Sequence, residues 1–148
     1  MADIIIKPAS GSDALKLQDG AGTDIVTVST NHVKFSKGIC ESISAVSSSS
    51  GVLTLNLAAA TVFTCTLTEN ITSWVFSNAV NTQFNAWTVV LTQHASSAKT
   101  VAYQAAVKWG GGVDHVMSTA TGSKDIISMF TLDGGTTIYA SVAGTAFA

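Results

Sequence analysis

Three histidines are the side chains best suited to metal binding or to proton transfer near neutral pH. His32, His94 and His115 lie far apart in the chain, and no His-x-His, His-x-x-x-His or Cys-x-x-Cys pair accompanies them. A zinc site needs three or four ligands that converge on one point. The spacing favours exposed or capping histidines, so the sequence predicts no metal site and no cofactor.

A hydrolase triad is the next chemistry that the residue types allow, because Asp114 and His115 are adjacent. The chain has no Gly-x-Ser-x-Gly nucleophile elbow. Its 18 serines are so numerous that a serine near a histidine carries little information. These residues therefore favour a chain that is not an enzyme.

Glycoside hydrolysis would require two carboxyl groups about 5–10 Å apart in a cleft. Glu69 is the only charged residue in the stretch 42–98, and Asp114, Asp125 and Asp133 fall at predicted turns. Aspartates in turns usually accept hydrogen bonds from nearby backbone N–H groups. Turn and capping roles are therefore predicted for these acids.

Two glycine-containing loops have residue types found in calcium-binding or phosphate-binding loops, but not the spacing that those loops require. Residues 19–24 lack the alternating acids and the final glutamate of a calcium loop, so a plain turn is predicted. Gly110–Gly112 is followed by neither Lys-Ser/Thr nor a predicted helix, which excludes a phosphate-binding loop.

The three tryptophans, Trp74, Trp87 and Trp109, are the residues most able to form a sugar-binding platform. Trp87 alternates with Val89 and Leu91, which predicts a core position. Trp109 stands beside three glycines and is the one tryptophan for which exposure is a reasonable alternative.

The composition indicates a protein that is covered by another protein. Of the 148 residues, 11% are charged and 47% are hydrophobic, whereas an ordinary soluble protein has about 25% charged residues. All seven basic residues are lysines, and the net charge is −2. This balance argues against nucleic-acid binding, which needs clustered positive charge.

No membrane-spanning or secretory segment is predicted, because every apolar run is far shorter than the roughly 18 residues that a spanning helix needs. We therefore expect synthesis and folding in a cytoplasm. Cys40 and Cys65 are not in a Cys-x-x-Cys pair. The sequence predicts that both are reduced and buried.

Residues 1–38 and residues 39–148 differ in their charge content and in the length of their apolar runs. Residues 1–38 hold eight of the sixteen charges and several short apolar pieces, which predicts an N-terminal arm that packs on a body or a partner. The run Ile4, Ile5 and Ile6 is a candidate edge strand and the candidate partner contact. Residues 39–148 predict a denser β-rich body.

Alternation of apolar and polar residues predicts strands throughout the body. Candidates are 52–57, 62–67, 71–76, 87–92, 99–103, 125–132 and 136–142, with the clearest hairpin at Asp133-Gly134-Gly135. No convincing amphipathic helix is present. We expect an all-β chain: an antiparallel β-sandwich or jelly-roll-like body with a short N-terminal β-hairpin arm.

A family resemblance follows from the order of several short strings in the C-terminal half. Residues 51–148 resemble a threonine-rich β-module of tailed-bacteriophage virion proteins, and residues 14–28 resemble strand-turn units at the start of phage fibre and appendage proteins. The strings that carry the first likeness are residues 70–72, 87–93, 99–103, 107–112 and 125–144.

The resemblance implies a non-enzymatic virion component. The short arm without shaft repeats favours a capsid decoration (cement) protein. Such a protein would form a homotrimer, bind the major capsid protein on the outer surface of the shell, and use no nucleic acid or membrane. Two alternatives stay open: a tail fibre or appendage protein that binds a host receptor or glycan, and a stand-alone bacterial carbohydrate-binding module.

Overall fold

The computed structural model describes residues 14–29 and 31–148. Ile4, Ile5 and Ile6, the predicted partner contact, lie outside the described residues. The described chain is all-β, with one short 3-10 turn at Gly110–Gly112. The eleven strands are β1 (Ala14–Gln18), β2 (Asp24–Ser29), β3 (Val33–Phe35), β4 (Ile43–Ala45), β5 (Val52–Asn56), β6 (Val62–Thr66), β7 (Ser73–Ser77), β8 (Asn81–Thr92), β9 (Val107–Trp109), β10 (Lys124–Asp133) and β11 (Ile138–Phe147).

The chain divides into two compact units between Cys40 and Glu41. The N-terminal unit contains an antiparallel sheet in the order β1-β2-β3. Its first hairpin closes at Asp19, whose Oδ1 accepts hydrogen bonds from the backbone N–H of Ala21 (3.0 Å) and Thr23 (2.9 Å). The plain turn predicted for residues 19–24 is confirmed.

The second unit begins as a coil of strands. From β4 to β8 the chain alternates between two sheets: β4, β6 and β8 pair in parallel in one sheet, and β5 pairs in parallel with β7 in the other. Each turn of the coil therefore adds one strand to each sheet, which is the path of a β-helix. The larger sheet then continues antiparallel through β10 and β11, and β9 pairs in parallel at its far edge.

One hydrophobic cluster fills the interior of this unit. The strands alternate, with apolar side chains inward and threonines or serines outward, so a single face of each sheet is buried. The largest buried side chains include Leu53, Leu55, Phe63, Trp74, Leu91, Ile127, Met129 and Ile138. Trp74 and Trp87 both belong to this core, as predicted for Trp87.

The all-β class, the sandwich-like body and the N-terminal hairpin are confirmed, but the direction of pairing in the body differs from the expectation. The sequence predicted antiparallel neighbours, whereas the strands from β4 to β8 pair in parallel. Alternation specifies which face of a strand is buried, and it carries no information on the direction of the neighbouring strand.

The strand predicted for residues 99–103 is wrong. Only Val101 forms a bridge there, with Ile71. Amide side chains take the place of a partner strand, because Gln93 Oε1 accepts from Lys99 N–H (2.9 Å) and Asn70 Oδ1 accepts from Thr100 N–H (3.0 Å).

Gly51 allows the tight turn before β5, and its replacement should be costly. Its φ is +76°, and an added Cβ would lie 2.7 Å from Thr72 Oγ1. We expect Gly51→Ala to lower the free energy of unfolding by about 1–3 kcal/mol, because strain adds to the close contact. Urea unfolding followed by tryptophan fluorescence measures this.

Gly110→Ala is the matched control, since an added Cβ at Gly110 meets no atom within 4 Å. Equal losses of stability in the two variants would contradict the role assigned to Gly51.

Candidate functional site

The N-terminal sheet carries apolar side chains on one face only. Directly opposed residues in neighbouring strands project to the same side of a sheet. The register opposes Leu15 with Val28, Leu17 with Val26, Val26 with Phe35 and Val28 with Val33. Together they form the N-terminal apolar face, which consists of Leu15, Leu17, Val26, Val28, Val33 and Phe35.

The described side chains of the N-terminal apolar face are largely exposed. Leu17, Val33 and Phe35 are each slightly more than half exposed, and Val28 is 40% exposed. No described side chain of this sheet is buried. A small sheet with one wholly apolar face and no buried side chain needs a covering surface.

Charge lies elsewhere on this sheet. Lys16 and Lys34 flank Thr27 in register, on the face opposite the apolar one. Lys16 Nζ also pairs with Asp24 Oδ2 at 2.7 Å, and Gln18 donates to Asp24 Oδ1 at 2.8 Å. Hydrogen bonds from Lys16 and then Gln18 lower the pKa of Asp24. The two faces are therefore chemically distinct.

The outer face of the larger sheet in the second unit carries a row of aromatic rings. Phe130 on β10 stacks on Tyr139 of β11, with ring centroids 5.0 Å apart, and lies 5.5 Å from Phe84 of β8. Phe84 is 68% exposed and Tyr139 is 43% exposed. Beside the row is an open groove of about 380 Å³, whose polar lining includes Glu41, Thr61, Ser128 and Ser141.

A buried polar cluster joins the loop after Tyr103 to the last two strands. His115 Nε2–H donates to Asp125 Oδ2 at 2.9 Å, and the Tyr103 hydroxyl lies 2.9 Å from His115 Nδ1. Asp125 Oδ2 also accepts from Ser118 N–H (2.8 Å), and its Oδ1 accepts from Ala146 N–H (2.9 Å). A neutral imidazole with its proton on Nε2 satisfies both of its ring nitrogens here, since the tyrosine O–H can donate to Nδ1.

The electrostatics of this cluster suit anchoring better than catalysis. Burial raises the pKa of Tyr103 strongly, and the charges of Asp125 and Asp114 raise it further, so the phenol keeps its proton. Burial also raises the pKa of Asp125, but hydrogen bonds from Ser118, Ala146 and His115 outweigh it and hold the pKa below its ordinary value. The carboxylate is ionised, and its described partners all donate N–H bonds.

The sequence predicted exposed or capping histidines, and this prediction is wrong for His115, which is 8% exposed and pairs with Asp125. Only the fold places Asp125, at the start of β10, beside the loop that carries His115. No sequence signal in a single chain identifies such a pair. The turn role predicted for Asp125 is wrong, because Asp125 is buried in β10 and accepts from groups that are distant in the sequence. The turn role predicted for Asp133 is confirmed: its Oδ1 accepts from Thr137 N–H (2.9 Å) in the last hairpin.

Gln93 is a second buried polar side chain that sequence reasoning did not single out as an anchor. Its Nε2 donates to the carbonyl oxygens of Lys99 and Ser118, both at 3.0 Å, and its Oε1 accepts from the N–H of His94 and Lys99. All four hydrogen-bonding positions of the amide are used. The side chain therefore fixes two loops at the end of β8.

The solvent exposure of Trp109 and of the two cysteines tests the remaining sequence predictions. Trp109 is 9% exposed and packs against Tyr103 at a ring-centroid distance of 4.8 Å, so the exposed alternative is wrong. Both cysteines are free thiols; Cys65 is buried as predicted, whereas Cys40 is exposed. Burial raises the pKa of the Cys65 thiol. Among the described residues, no group of three or more histidine, cysteine or acidic side chains could hold a metal ion.

Comparison with models of protein families, with curated proteins and with solved structures found no match to this chain. No helix in the described part of the chain is long and apolar enough to cross a membrane.

The Asp125 cluster predicts a stability that depends on pH. In Asp125→Asn the amide nitrogen must face one of three N–H donors. We therefore expect the free energy of unfolding to fall by about 3–5 kcal/mol near neutral pH. Because the folded-state pKa of Asp125 is lowered, its contribution is present above the ordinary carboxyl pKa and disappears as the pH falls below about 4. The difference between wild type and variant should therefore narrow in acid, as measured by urea unfolding at several pH values.

Asp114→Asn is the control for this prediction. Asp114 is exposed and adjacent to His115, so its variant should stay close to wild type at neutral pH. The role assigned to Asp125 would be contradicted if both variants lost the same free energy of unfolding. It would also be contradicted if the loss in Asp125→Asn stayed constant down to acid pH.

Proposed function

We propose that this protein is a non-enzymatic structural component of a tailed-bacteriophage virion, and that it decorates the outer surface of the capsid as a trimer that stabilises the shell. The observation that carries the proposal is the exposed N-terminal apolar face, as seen in the described residues, on a chain with few charges. Apolar surface of this kind is stabilised when another protein covers it. The described polar clusters, by contrast, are used to hold the fold together.

The two-unit organisation supports the same role. The N-terminal unit presents apolar side chains without a buried core among its described residues, whereas the second unit has a core of its own. A unit of the first kind is suited to attachment, and the second is suited to display on a surface. In the proposal, residues 1–38, with Ile4, Ile5 and Ile6, contact the major capsid protein.

The first test is the copy number of the protein in purified virions, measured by quantitative mass spectrometry against the major capsid protein. We expect a ratio near one or a large simple fraction of one, because a decoration protein follows the repeat of the shell. A very small ratio would place the protein in the tail. Its absence from virions would overturn the proposal.

Deletion of residues 1–38 tests the role of the attachment unit. The truncated chain should keep the tryptophan fluorescence of a folded second unit, since all three tryptophans lie beyond residue 38. Binding to shells that lack the protein should fall by at least tenfold, measured by co-sedimentation. Full occupancy by the truncated chain would contradict attachment through these residues.

A second candidate function, receptor or glycan binding by a tail appendage, is favoured by the aromatic row beside the groove. Exposed aromatic rings stack on the apolar faces of sugars, and hydroxyl and carboxylate groups at the groove edge can orient them. Under this function Phe84→Ala should lower binding on a glycan array by about tenfold or more. Val116→Ala, at a side chain that is 84% exposed on a loop, is the matched control; equal binding by both variants would contradict this second function.

A further inference from the structure

We propose that residues 144–147, at the end of β11, form an acid-labile clasp, which the buried carboxylate of Asp125 holds closed at neutral pH and which opens locally when that carboxylate is protonated. The inference goes beyond the proposed function, because it concerns a conformational change within the second unit alone. It rests on the backbone of β11, on the partners of Asp125 and on the packing around them.

The clasp contains one residue more than the stretch of β10 that it faces. Gly144 pairs with Ile126 and Phe147 pairs with Lys124, so the two residues between them in β11 face the single residue Asp125 in β10. This is the arrangement of a β-bulge, which interrupts the ladder of backbone hydrogen bonds. A bulged residue is left without a ladder partner, so its N–H needs another acceptor.

Asp125 supplies that acceptor to a residue with a strained backbone. The N–H of Ala146 donates to Asp125 Oδ1 at 2.9 Å. The φ of Ala146 is +55°, in the left-handed region that a residue with a Cβ rarely adopts. Such a conformation persists only where the surrounding contacts hold it. The carboxylate therefore stabilises a backbone conformation that would otherwise relax.

The side chains of the clasp add little attachment to the rest of the unit. Thr145 and Ala146 are exposed, and Phe147 is 47% exposed. The Phe147 ring packs over Gly144, where an added Cβ would lie 2.5 Å from two of its ring carbons. This contact is internal to the clasp, so it shapes the clasp without fixing it to β10.

The loop that supplies the other partners of Asp125 is held more firmly. Asp125 Oδ2 accepts from His115 Nε2–H and from Ser118 N–H. In that loop Met117 is 4% exposed, and Gln93 Nε2 donates to the carbonyl oxygen of Ser118 at 3.0 Å. When the carboxylate loses its charge, the loop keeps these contacts, whereas the clasp loses the bond that holds its strained residue. The clasp is therefore the segment that opens first.

The groups around Asp125 leave its own protonation as the event that acid drives. His115 donates through Nε2–H whether its ring is neutral or protonated, and the Tyr103 hydroxyl can accept from a protonated Nδ1. Burial raises the pKa of Tyr103, so the phenol is neutral in acid. The residue opposite Asp125 in β8 is the apolar Leu91. Lys124 precedes Asp125 in β10 and is exposed, so it projects to the other face of the sheet.

Proton uptake favours the open clasp. Burial raises the pKa of Asp125, but hydrogen bonds from Ser118, Ala146 and His115 outweigh it and lower the pKa in the closed form. Opening removes the bond from Ala146, so the open form binds the proton more tightly. The form that binds a proton more tightly gains population as the pH falls. We expect the change below about pH 4, the ordinary range of a carboxyl pKa.

Opening changes what this end of the larger sheet presents. β10 lies between β8 and β11. Without the clasp, residues 124–126 lose their neighbours on one side and become part of an edge. An exposed edge can pair with a further strand. The carboxylate of Asp125 therefore controls whether this end of β10 is an inner strand or an edge strand.

Amide hydrogen exchange of the full chain, followed by NMR at several pH values, tests the clasp. Each rate is divided by the intrinsic rate at the same pH, so that it reports opening of the structure. We expect the N–H of Ala146 to lose protection by about tenfold or more between about pH 6 and pH 3. The N–H of Leu67, which donates to the carbonyl oxygen of Thr92 at 2.9 Å in the core, should keep its protection. Equal losses at the two amides, or no loss at Ala146, would overturn the inference.

The carbon chemical shift of the Asp125 carboxyl group, measured in the same samples, identifies the titrating group. We expect protection at Ala146 to fall over the pH range in which this carboxyl group takes up its proton. A fall over a different pH range would overturn the role of Asp125.

Ala146→Gly tests the strain without changing the carboxylate. Glycine adopts the left-handed region freely, so protection of the N–H of residue 146 should rise about fivefold at neutral pH, and its fall in acid should remain. Ala143→Gly is the matched control, since Ala143 lies in the same strand without a positive φ. No rise in Ala146→Gly, or an equal rise in both variants, would overturn the strained clasp.

Discussion

The fold of the second unit depends on a buried carboxylate that is fully paired. Asp125 is inaccessible to solvent, and its oxygens accept hydrogen bonds from His115, Ser118 and Ala146. Two of these partners come from an irregular loop, and Ala146 comes from the end of β11, where the register with β10 shifts. An ionised group in a protein interior is tolerated only with such partners. Each partner therefore fixes the path of its own segment relative to β10.

The same constraint explains how a sheet protein with few charges holds its loops. Gln93 at the end of β8 binds the loop at Lys99 and the segment at Ser118, and Asp125 binds that segment again at the next strand. Buried amide and carboxylate groups here replace the ladder hydrogen bonds that an irregular segment cannot make. The core supplies the free energy of folding, and these polar groups select one arrangement of the connections.

The alternation of apolar and polar residues predicted the class of the fold. It could not predict which strands pair with each other or in which direction. The alternation in Leu53, Leu55, Trp87, Val89 and Leu91 correctly identified buried faces, and Asp133-Gly134-Gly135 correctly marked a hairpin. The parallel coil from β4 to β8 was missed, because a strand carries the same alternation whichever way its neighbour runs. The apolar face of the first sheet became visible only with its register, although each of its residues was already recognisable as strand-forming. His115 was predicted to be exposed or capping, because no local pattern shows that the fold brings Asp125 beside it.

The division of the chain beside Cys40 has a practical consequence. Cys40 is an exposed thiol at the boundary between the two units, and the other cysteine, Cys65, is buried with a raised thiol pKa. Thiol reagents react with accessible thiolates, so a fluorophore or spin label will attach selectively at Cys40 without any engineered mutation. The protein thus carries a natural labelling site at the boundary between its two units.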